Sequence, residues 1–261
     1  MVAWLDEHPG YLPEGWDSRL LAPLAFAPQQ WSPAPPEEEE VEEEEEEAVL
    51  ETWAYTPDRY LLRLRDLRGL RNNDATLTAL YLNSKNIGAA GVSAIAAALK
   101  VNRILTVLNL SDNSFGDAGA STLAEALKVN LTLTTLYLDG NSISDAGAST
   151  LAEALKVNRT LTTLGLGSNS ISDAGASTLT EALKVNRTLT TLGLGSNSIG
   201  TAGASAMAEA LKVNSTLTRL YLDGNSIGEA GVQALRSSVC SGWRLFVELQ
   251  GQTTSERPLP S

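Results

Sequence analysis

The residue types that most enzymes use for nucleophilic or metal chemistry are nearly absent from this chain. Its 261 residues include one histidine, His8, and one cysteine, Cys240, near opposite ends. A Ser/His/Asp triad, a Cys/His pair and a Cys/His zinc site each need groups beyond these two. No Gly-Lys-Ser or Gly-Lys-Thr phosphate loop occurs either. We therefore expect a non-enzymatic protein with no metal, no cofactor and no small-molecule substrate.

Tyrosines and aspartates recur instead at spacings that suit protein binding. The candidate partner-binding residues are Tyr81, Asn109, Asp112, Tyr137, Asp139, Arg219, Tyr221 and Asp223. Tyrosine and arginine are favoured at protein interfaces, and aspartates bias a surface toward basic partners. Tyrosine is also an ordinary residue of β-strands, so both interpretations of the aromatic positions stay open.

A sequence repeat is what must position these residues. Six leucines fall 28 residues apart, and each opens a similar block: Leu77, Leu105, Leu133, Leu161, Leu189 and Leu217. The block at residues 133–160 begins L-x-x-L-x-L-x-x-N, and the ninth position is asparagine in every block but the first, where it is Lys85. A fixed period of this length predicts a solenoid of stacked units.

Each block predicts one short strand followed by one helix. Leu136-Tyr137-Leu138 alternates as a strand with its leucines inward. Ser144 or Asp145 can cap a helix whose apolar residues recur at helical spacing on one face. Parallel strands stack about 4.8 Å apart and helices about 8–10 Å apart, so the stack should bend with its sheet on the inside. The repeated asparagine is expected to satisfy backbone groups in the turn, and the glycine at each helix start to permit close approach.

The motif L-x-x-L-x-L-x-x-N with the tail A-G-A-x-x-L-A-E-A-L-K-x-N resembles the leucine-rich repeat of the ribonuclease-inhibitor-like class. NOD-like receptors and Ran GTPase-activating proteins are similar over about residues 77–250. The resemblance implies an α/β leucine-rich repeat solenoid, an arc with a concave parallel β-sheet and convex α-helices.

The outward strand positions of the middle blocks carry glycine. The fifth position holds tyrosine or asparagine toward the ends but Gly165 and Gly193 in the middle, and the seventh holds Gly167 and Gly195 there. A graded binding face and recent duplication with drift explain this equally well. Four glycines leave little side chain for recognition, so no strong contact is expected at the middle strands.

Composition divides the chain into four predicted segments. Residues 1–48 are a disordered, Pro- and Trp-containing segment, since seven of ten prolines and three of five tryptophans fall within residues 1–47. Residues 49–76 form an N-terminal cap helix, residues 77–244 the six repeats, and residues 245–261 a cap strand and a tail. Tyr60, Leu61 and Leu64 belong to the predicted cap helix, and Trp243 should cover the last turn.

Charge is concentrated in one run. Residues 37–47 hold ten glutamates, and the remainder is nearly neutral although the whole chain carries a net charge of -12. Bulk charge thus predicts no nucleic-acid partner. The acidic run is either a solvated linker or a flexible lure for a basic partner. The absence of an early apolar run predicts a cytoplasmic protein without membrane contact.

We accordingly expect a scaffold that binds a protein partner, basic in its surface, through the repeat arc with a contribution from the acidic tail. The alternatives implied by resemblance are GTPase activation toward a Ran-like GTPase and regulation of innate immunity. Ribonuclease inhibition is a further one, although the inhibitor is cysteine-rich and this chain is not.

Overall fold

Strands and helices alternate along the chain as the repeat predicts. The computed structural model describes residues 67–238 and, by their backbone, residues 246–249 and 252–253. The strands are β1 (Ala79–Tyr81), β2 (Val107–Asn109), β3 (Thr135–Tyr137), β4 (Thr163–Gly165), β5 (Thr191–Gly193), β6 (Arg219–Tyr221), β7 (Phe246–Leu249) and β8 (Gln252–Thr253). The helices are α1 (Gly88–Val101), α2 (Gly116–Val129), α3 (Asp145–Val157), α4 (Asp173–Val185), α5 (Thr201–Leu211) and α6 (Gly228–Ser238).

The strands form one sheet in sequence order, and β1 to β7 are all parallel. Pairing follows the repeat, so that Leu136 of β3 lies opposite Leu108 and Leu164. Each of the strands β1 to β6 is centred on one inward leucine and begins one residue earlier than the predicted leucine triplet. The sheet forms one face of the repeat unit and the helices cover the other, which confirms the solenoid.

Leucine, isoleucine and alanine fill the space between the sheet and the helices. In the third block Leu136, Leu138, Ile143 and Leu151 are completely buried, and the equivalent residues of the neighbouring blocks are buried too. Small alanines such as Ala148 let helices approach the strands closely. Because each unit covers only its neighbours, burial of this apolar surface depends on the stack.

The repeated asparagine at the ninth position bonds to the backbone, as expected. Asn169 donates its amide to the carbonyls of Leu138, Leu166 and Gly167 at 3.0–3.1 Å. Its Oδ1 accepts from the N–H groups of two residues in the preceding unit, Asn141 and Ile143. One side chain thus joins adjacent units where the ladder of the sheet has ended.

A second row of asparagines follows the helices. The sequence alone did not predict that these side chains would join adjacent units. Asn186 follows α4 and is fully buried. Its amide donates to the Leu155 carbonyl of the preceding unit at 2.8 Å, and its Oδ1 accepts from the N–H groups of Thr188 and Leu189. The equivalent residues are Asn102, Asn130, Asn158 and Asn214. Four of the five glycosylation-type Asn-x-Thr/Ser motifs in the chain begin at these buried residues.

The starts of α3, α4 and α5 are held by carboxylates from the preceding unit. Ser144 caps α3 and Ser172 caps α4, each accepting a backbone N–H through its hydroxyl. Asp145 of α3 reaches forward and accepts from the Ser172 N–H, the Ser172 hydroxyl and the Gly175 N–H at 2.6–2.9 Å. These bonds hold the pKa of Asp145 below its ordinary value of 3.8, although burial alone raises it.

The predicted glycine role at the helix start is confirmed by the same contacts. A Cβ on Gly175 would lie 2.5 Å from Asp145 Oδ1 and 2.8 Å from Ile171 Cγ2. Only a residue without a side chain lets α4 pack at this distance.

The described region begins with a helical turn and ends with two short strands. A helical turn at residues 67–71 buries Leu67 and Leu70 against the first unit. At the other end β7 pairs in parallel with β6, with Val247 opposite Leu220, and β8 pairs antiparallel with β7. The predictions for residues 1–66, Cys240 and Trp243 lie outside the described residues. No helix in the described part is long and apolar enough to cross a membrane.

Candidate functional site

The register of the sheet places six of the eight candidate residues in two rows on its outer surface, which we call the sheet face. In the first row the fifth positions lie side by side, in the order Tyr81, Asn109, Tyr137, Gly165, Gly193 and Tyr221. The second row lies two residues further along each block, at the seventh position, and includes Asp139, Gly167, Gly195 and Asp223. Strand alternation points both rows away from the core.

An open depression of about 560 Å³ occupies the sheet face over β4 and β5. We call it the glycine-floored depression, because Gly165, Gly167, Gly193 and Gly195 line its floor. It brings together five of the eight predicted residues: Tyr137, Asp139, Arg219, Tyr221 and Asp223. Thr163 and Thr191, which the sequence did not single out, complete one end of the lining.

On the β3 side, two side chains lean over the neighbouring strand. A Cβ on Gly165 would lie 2.9 Å from Tyr137 Cδ1 and 2.7 Å from Asp139 Oδ2. Asp139 also accepts a hydrogen bond from the Gly167 N–H at 2.7 Å through Oδ1. The Tyr137 ring and the Asp139 carboxylate therefore cover β4, and glycine is what makes room for them.

On the β6 side, Asp223 leans the opposite way. A Cβ on Gly195 would lie 2.6 Å from Asp223 Oδ1. Gly193 is not covered, because the nearest atom to a Cβ there is the Gly165 Cα at 3.6 Å. The uncovered part of the floor is thus centred on Gly193, with carboxylates approaching from both sides beyond it.

The charges of the depression are unevenly distributed along the strands. Asp139 and Asp223 lie past the ends of β3 and β6, whereas Arg219 begins β6. Burial raises the pKa of Asp139 above its ordinary value of 3.8, and the hydrogen bonds from Gly167 and Ser111 only partly offset this. The charge of Asp112 raises it further. The end of the depression beyond the strands is therefore the negative one.

The other three predicted residues do not line the depression. Tyr81 is 61% exposed on β1. Asn109 accepts the Ser111 N–H at 2.9 Å within its own loop, and the exposed Asp112 lies in the left-handed region with φ 58°. These three extend the sheet face toward β1.

The groups around the depression are aromatic and polar. Within residues 67–238 no group of three or more histidine, cysteine, aspartate or glutamate side chains is placed to hold a metal ion. The depression offers phenol rings, carboxylates, threonine hydroxyls and a guanidinium around a bare backbone floor, which is the composition of a recognition surface. The signal for it was present in the sequence, in two successive blocks with glycine at both outward positions. From sequence alone these glycines predict a lack of contact surface, because sequence does not show which neighbours lean over a glycine.

Comparisons with known proteins agree with the fold. The TMOD/LMOD leucine-rich domain model matches residues 65–167, and a leucine-rich repeat model matches residues 157–179, 185–208 and 213–235. No curated protein sequence matches the chain.

Solved structures are similar too, including the following two. The tropomodulin C-terminal domain of Caenorhabditis elegans is 16% identical with a TM-score of 0.51, covering 58% of this chain and 92% of its own. A structure of leiomodin-1 actin-binding site 2 is 24% identical with a TM-score of 0.45, covering 67% and 87%.

The expected likeness to NOD-like receptors and Ran GTPase-activating proteins gains no support from these matches. The broader expectation of a leucine-rich repeat protein is supported, because both family models describe leucine-rich repeats and together they extend across the six units. With the parallel sheet, the flanking helices and the asparagine at the ninth position, these matches identify the chain as a leucine-rich repeat protein.

Proposed function

We propose that this protein is a non-enzymatic scaffold that binds a protein partner on its sheet face, with recognition centred on the glycine-floored depression. One observation carries the proposal, namely that the depression gathers Tyr137, Tyr221 and Arg219 around an open floor. Tyrosine and arginine are the residue types that dominate binding energy at interfaces, and they do so in concave, desolvated places.

Actin is the first partner to test. The TMOD/LMOD leucine-rich domain model matches residues 65–167, and the leiomodin-1 structure is that of an actin-binding site. Binding is measured by cosedimentation with filaments and by fluorescence anisotropy with monomers. If actin does not bind, affinity capture from the native cell at low and high salt supplies the partner for the same variants.

The decisive variants are Tyr137→Ala with Tyr221→Ala, compared with Tyr81→Ala. All three tyrosines stand at the same strand position, but only the first two line the depression. Removing two anchors should weaken partner binding by about 2 kcal/mol or more, and Tyr81→Ala should leave it within about 0.5 kcal/mol. Unchanged binding in the double variant, with an unchanged circular dichroism spectrum, removes the depression from the proposal.

The acidic run is proposed to strengthen the same association when the partner is basic. Ten glutamates within residues 37–47 attract a basic surface, and that attraction weakens with salt. Deleting residues 1–48 should lower the association rate at low salt and have little effect at high salt. If the full chain and the shortened chain associate at equal rates at both salt concentrations, the acidic run is only a solvated linker.

A further inference from the structure

The width of the uncovered floor limits what can enter the glycine-floored depression. Tyr137 and Tyr221 stand on β3 and β6, three strand spacings or about 14 Å apart. The Tyr137 ring leans over β4, so the free width is nearer two spacings, about 10 Å before the thickness of the rings is subtracted. An α-helix with its side chains is about 10–12 Å across. We call the gap between the two tyrosine rings, above Gly193, the slot. The slot therefore fits a single long side chain with the backbone that carries it, and not a whole helix.

Two carboxylates stand at one end of this slot. Asp139 leans over Gly167 from β3, and Asp223 leans over Gly195 from β6. Gly167 and Gly195 are on neighbouring strands, and a Cβ on Gly167 would lie 3.3 Å from the Gly195 carbonyl oxygen. The two negative groups thus approach adjacent points of the floor from opposite sides. Arg219 begins β6, four residues before Asp223 and about 13 Å away along the strand, so it does not neutralise this end.

We propose that the glycine-floored depression receives a lysine or arginine side chain of the partner protein. This inference rests on the proposed function and names the chemistry of the partner. The aliphatic stem lies on Gly193 between the two tyrosine rings, and the charged end reaches Asp139 and Asp223. Long cationic side chains commonly pack an apolar stem while their charged end meets a polar group, and a cation beside tyrosine gains a further contribution.

The state of Asp139 supports this assignment. Burial raises the pKa of its carboxyl in the unoccupied protein. A cation from the partner would favour the ionised form, so the free protein holds a carboxylate that gains from a cationic ligand. An acidic side chain would meet repulsion at the same point, and an apolar one would leave both carboxylates without a partner charge.

The test uses the full 15N-labelled chain and three pentapeptides, Gly-Gly-X-Gly-Gly, in which X is lysine, arginine or norleucine. Norleucine keeps an unbranched aliphatic stem without the ammonium group, so it isolates the charge. We expect lysine and arginine peptides to shift the amide resonances of Gly167, Gly193 and Gly195 saturably, and norleucine to leave them in place. Equal shifts with norleucine, or none with the cationic peptides, overturn the proposal.

Variants of the floor and of the carboxylates give the second arm. Gly193→Tyr fills the slot and should abolish the shifts, whereas Ser177→Tyr adds the same ring to the exposed face of α4 and should not. Gly193→Ala is the smaller change at the same position, and it should not disturb the fold because its Cβ meets nothing closer than 3.6 Å. Asp139→Asn with Asp223→Asn should weaken the lysine peptide about tenfold, as expected for loss of a hydrogen bond to a charged group. Retained affinity in Gly193→Tyr or in the asparagine pair contradicts the proposal.

The two proposals can fail separately. If the cationic peptides do not bind but the Tyr137 and Tyr221 variants lose the partner, the scaffold function stands and the side-chain assignment is wrong. If the peptides bind in the slot while the partner ignores Gly193→Tyr, the slot exists and the partner is bound elsewhere.

Discussion

Asp139 and Asp145 lie six residues apart, and their surroundings shift their pKa values in opposite directions. Asp139 leans over the sheet face, where burial raises its pKa and the nearby Asp112 adds repulsion. Asp145 is also opposed by burial, but the Ser172 and Gly175 bonds outweigh it and lower its pKa. One residue type thus serves two ends: Asp145 stabilises the neighbouring helix, whereas ionised Asp139 costs stability and is available to a ligand.

Replacing Asp145 with alanine tests the stabilising role. Loss of the carboxylate leaves the Ser172 and Gly175 N–H groups without their acceptor, so we expect the free energy of unfolding to fall by about 1–2 kcal/mol at pH 7. Because the folded pKa is depressed, the stabilisation is fully present above the unfolded value near 3.8 and is lost as pH falls through the folded pKa. Urea titrations of both proteins from pH 7 to pH 2 should therefore converge at the acid end.

Glu153→Ala is the matched control for this change. Glu153 is an exposed carboxylate of the same helix, paired with Lys156 at 2.6 Å on the surface. Its loss should change stability by less than about 0.5 kcal/mol at any pH. A gap between Asp145→Ala and the wild type that stays constant down to pH 2 would show that the carboxylate charge is not what stabilises α4.

At the level of the element, the starts of α3, α4 and α5 are set by a contact with the preceding unit as much as by their own residues. In an isolated helix, alanine in place of Gly175 is favourable by about 1 kcal/mol. Here its Cβ would meet Asp145 Oδ1, Ile171 Cγ2 and, at 3.1 Å, the Asp145 Cα, which is backbone and cannot move aside alone. We expect Gly175→Ala to destabilise the protein by about 1–3 kcal/mol despite the gain in helix propensity.

Gly193→Ala is the counterpart of this prediction in a strand. Its added methyl group has no contact under 3.6 Å, so the free energy of unfolding should not fall. Urea unfolding followed by circular dichroism compares both variants with the wild type. A stable Gly175→Ala protein would mean that α3 and α4 separate more easily than their contacts indicate.

The elements themselves followed from the sequence because their signals are periodic. Leucine spacing predicted the strands, the ninth-position asparagine predicted the turn bonds, and Ser144 predicted a helix start. What the sequence did not reveal involves pairs of residues in different units. Asn186 bonds to Leu155 and Asp145 to Gly175, and a single repeat unit does not show which neighbour a side chain will reach. The glycine-floored depression was missed for the same reason.

Across the described repeat array, helices and strands pack against those of adjacent blocks, so one block can be removed without creating a new kind of junction. Deleting residues 161–188 joins Thr160 to Leu189, which reproduces the Thr188–Leu189 junction of the native chain. Asp145 would then face Gly200 and Gly203, as Asp173 does now at 2.6 and 2.8 Å. In a stack of nearest-neighbour contacts, this deletion should leave a cooperatively folded protein whose urea m-value is smaller by about one sixth.

The same deletion should remove binding, because it narrows the floor of the depression from two glycine strands to one. Tyr137 and Tyr221 would then flank β5 alone, and the carboxylates of Asp139 and Asp223 would both lean over Gly195. In this variant the two tyrosine rings would close the slot, and the carboxylates of Asp139 and Asp223 would repel each other. The lysine peptide should therefore no longer shift the Gly193 resonance. Deleting residues 105–132 instead removes β2, which does not line the depression, and should cost similar stability while the lysine peptide still binds. If the 161–188 deletion folds and still binds the peptide, the width of the glycine floor does not determine recognition.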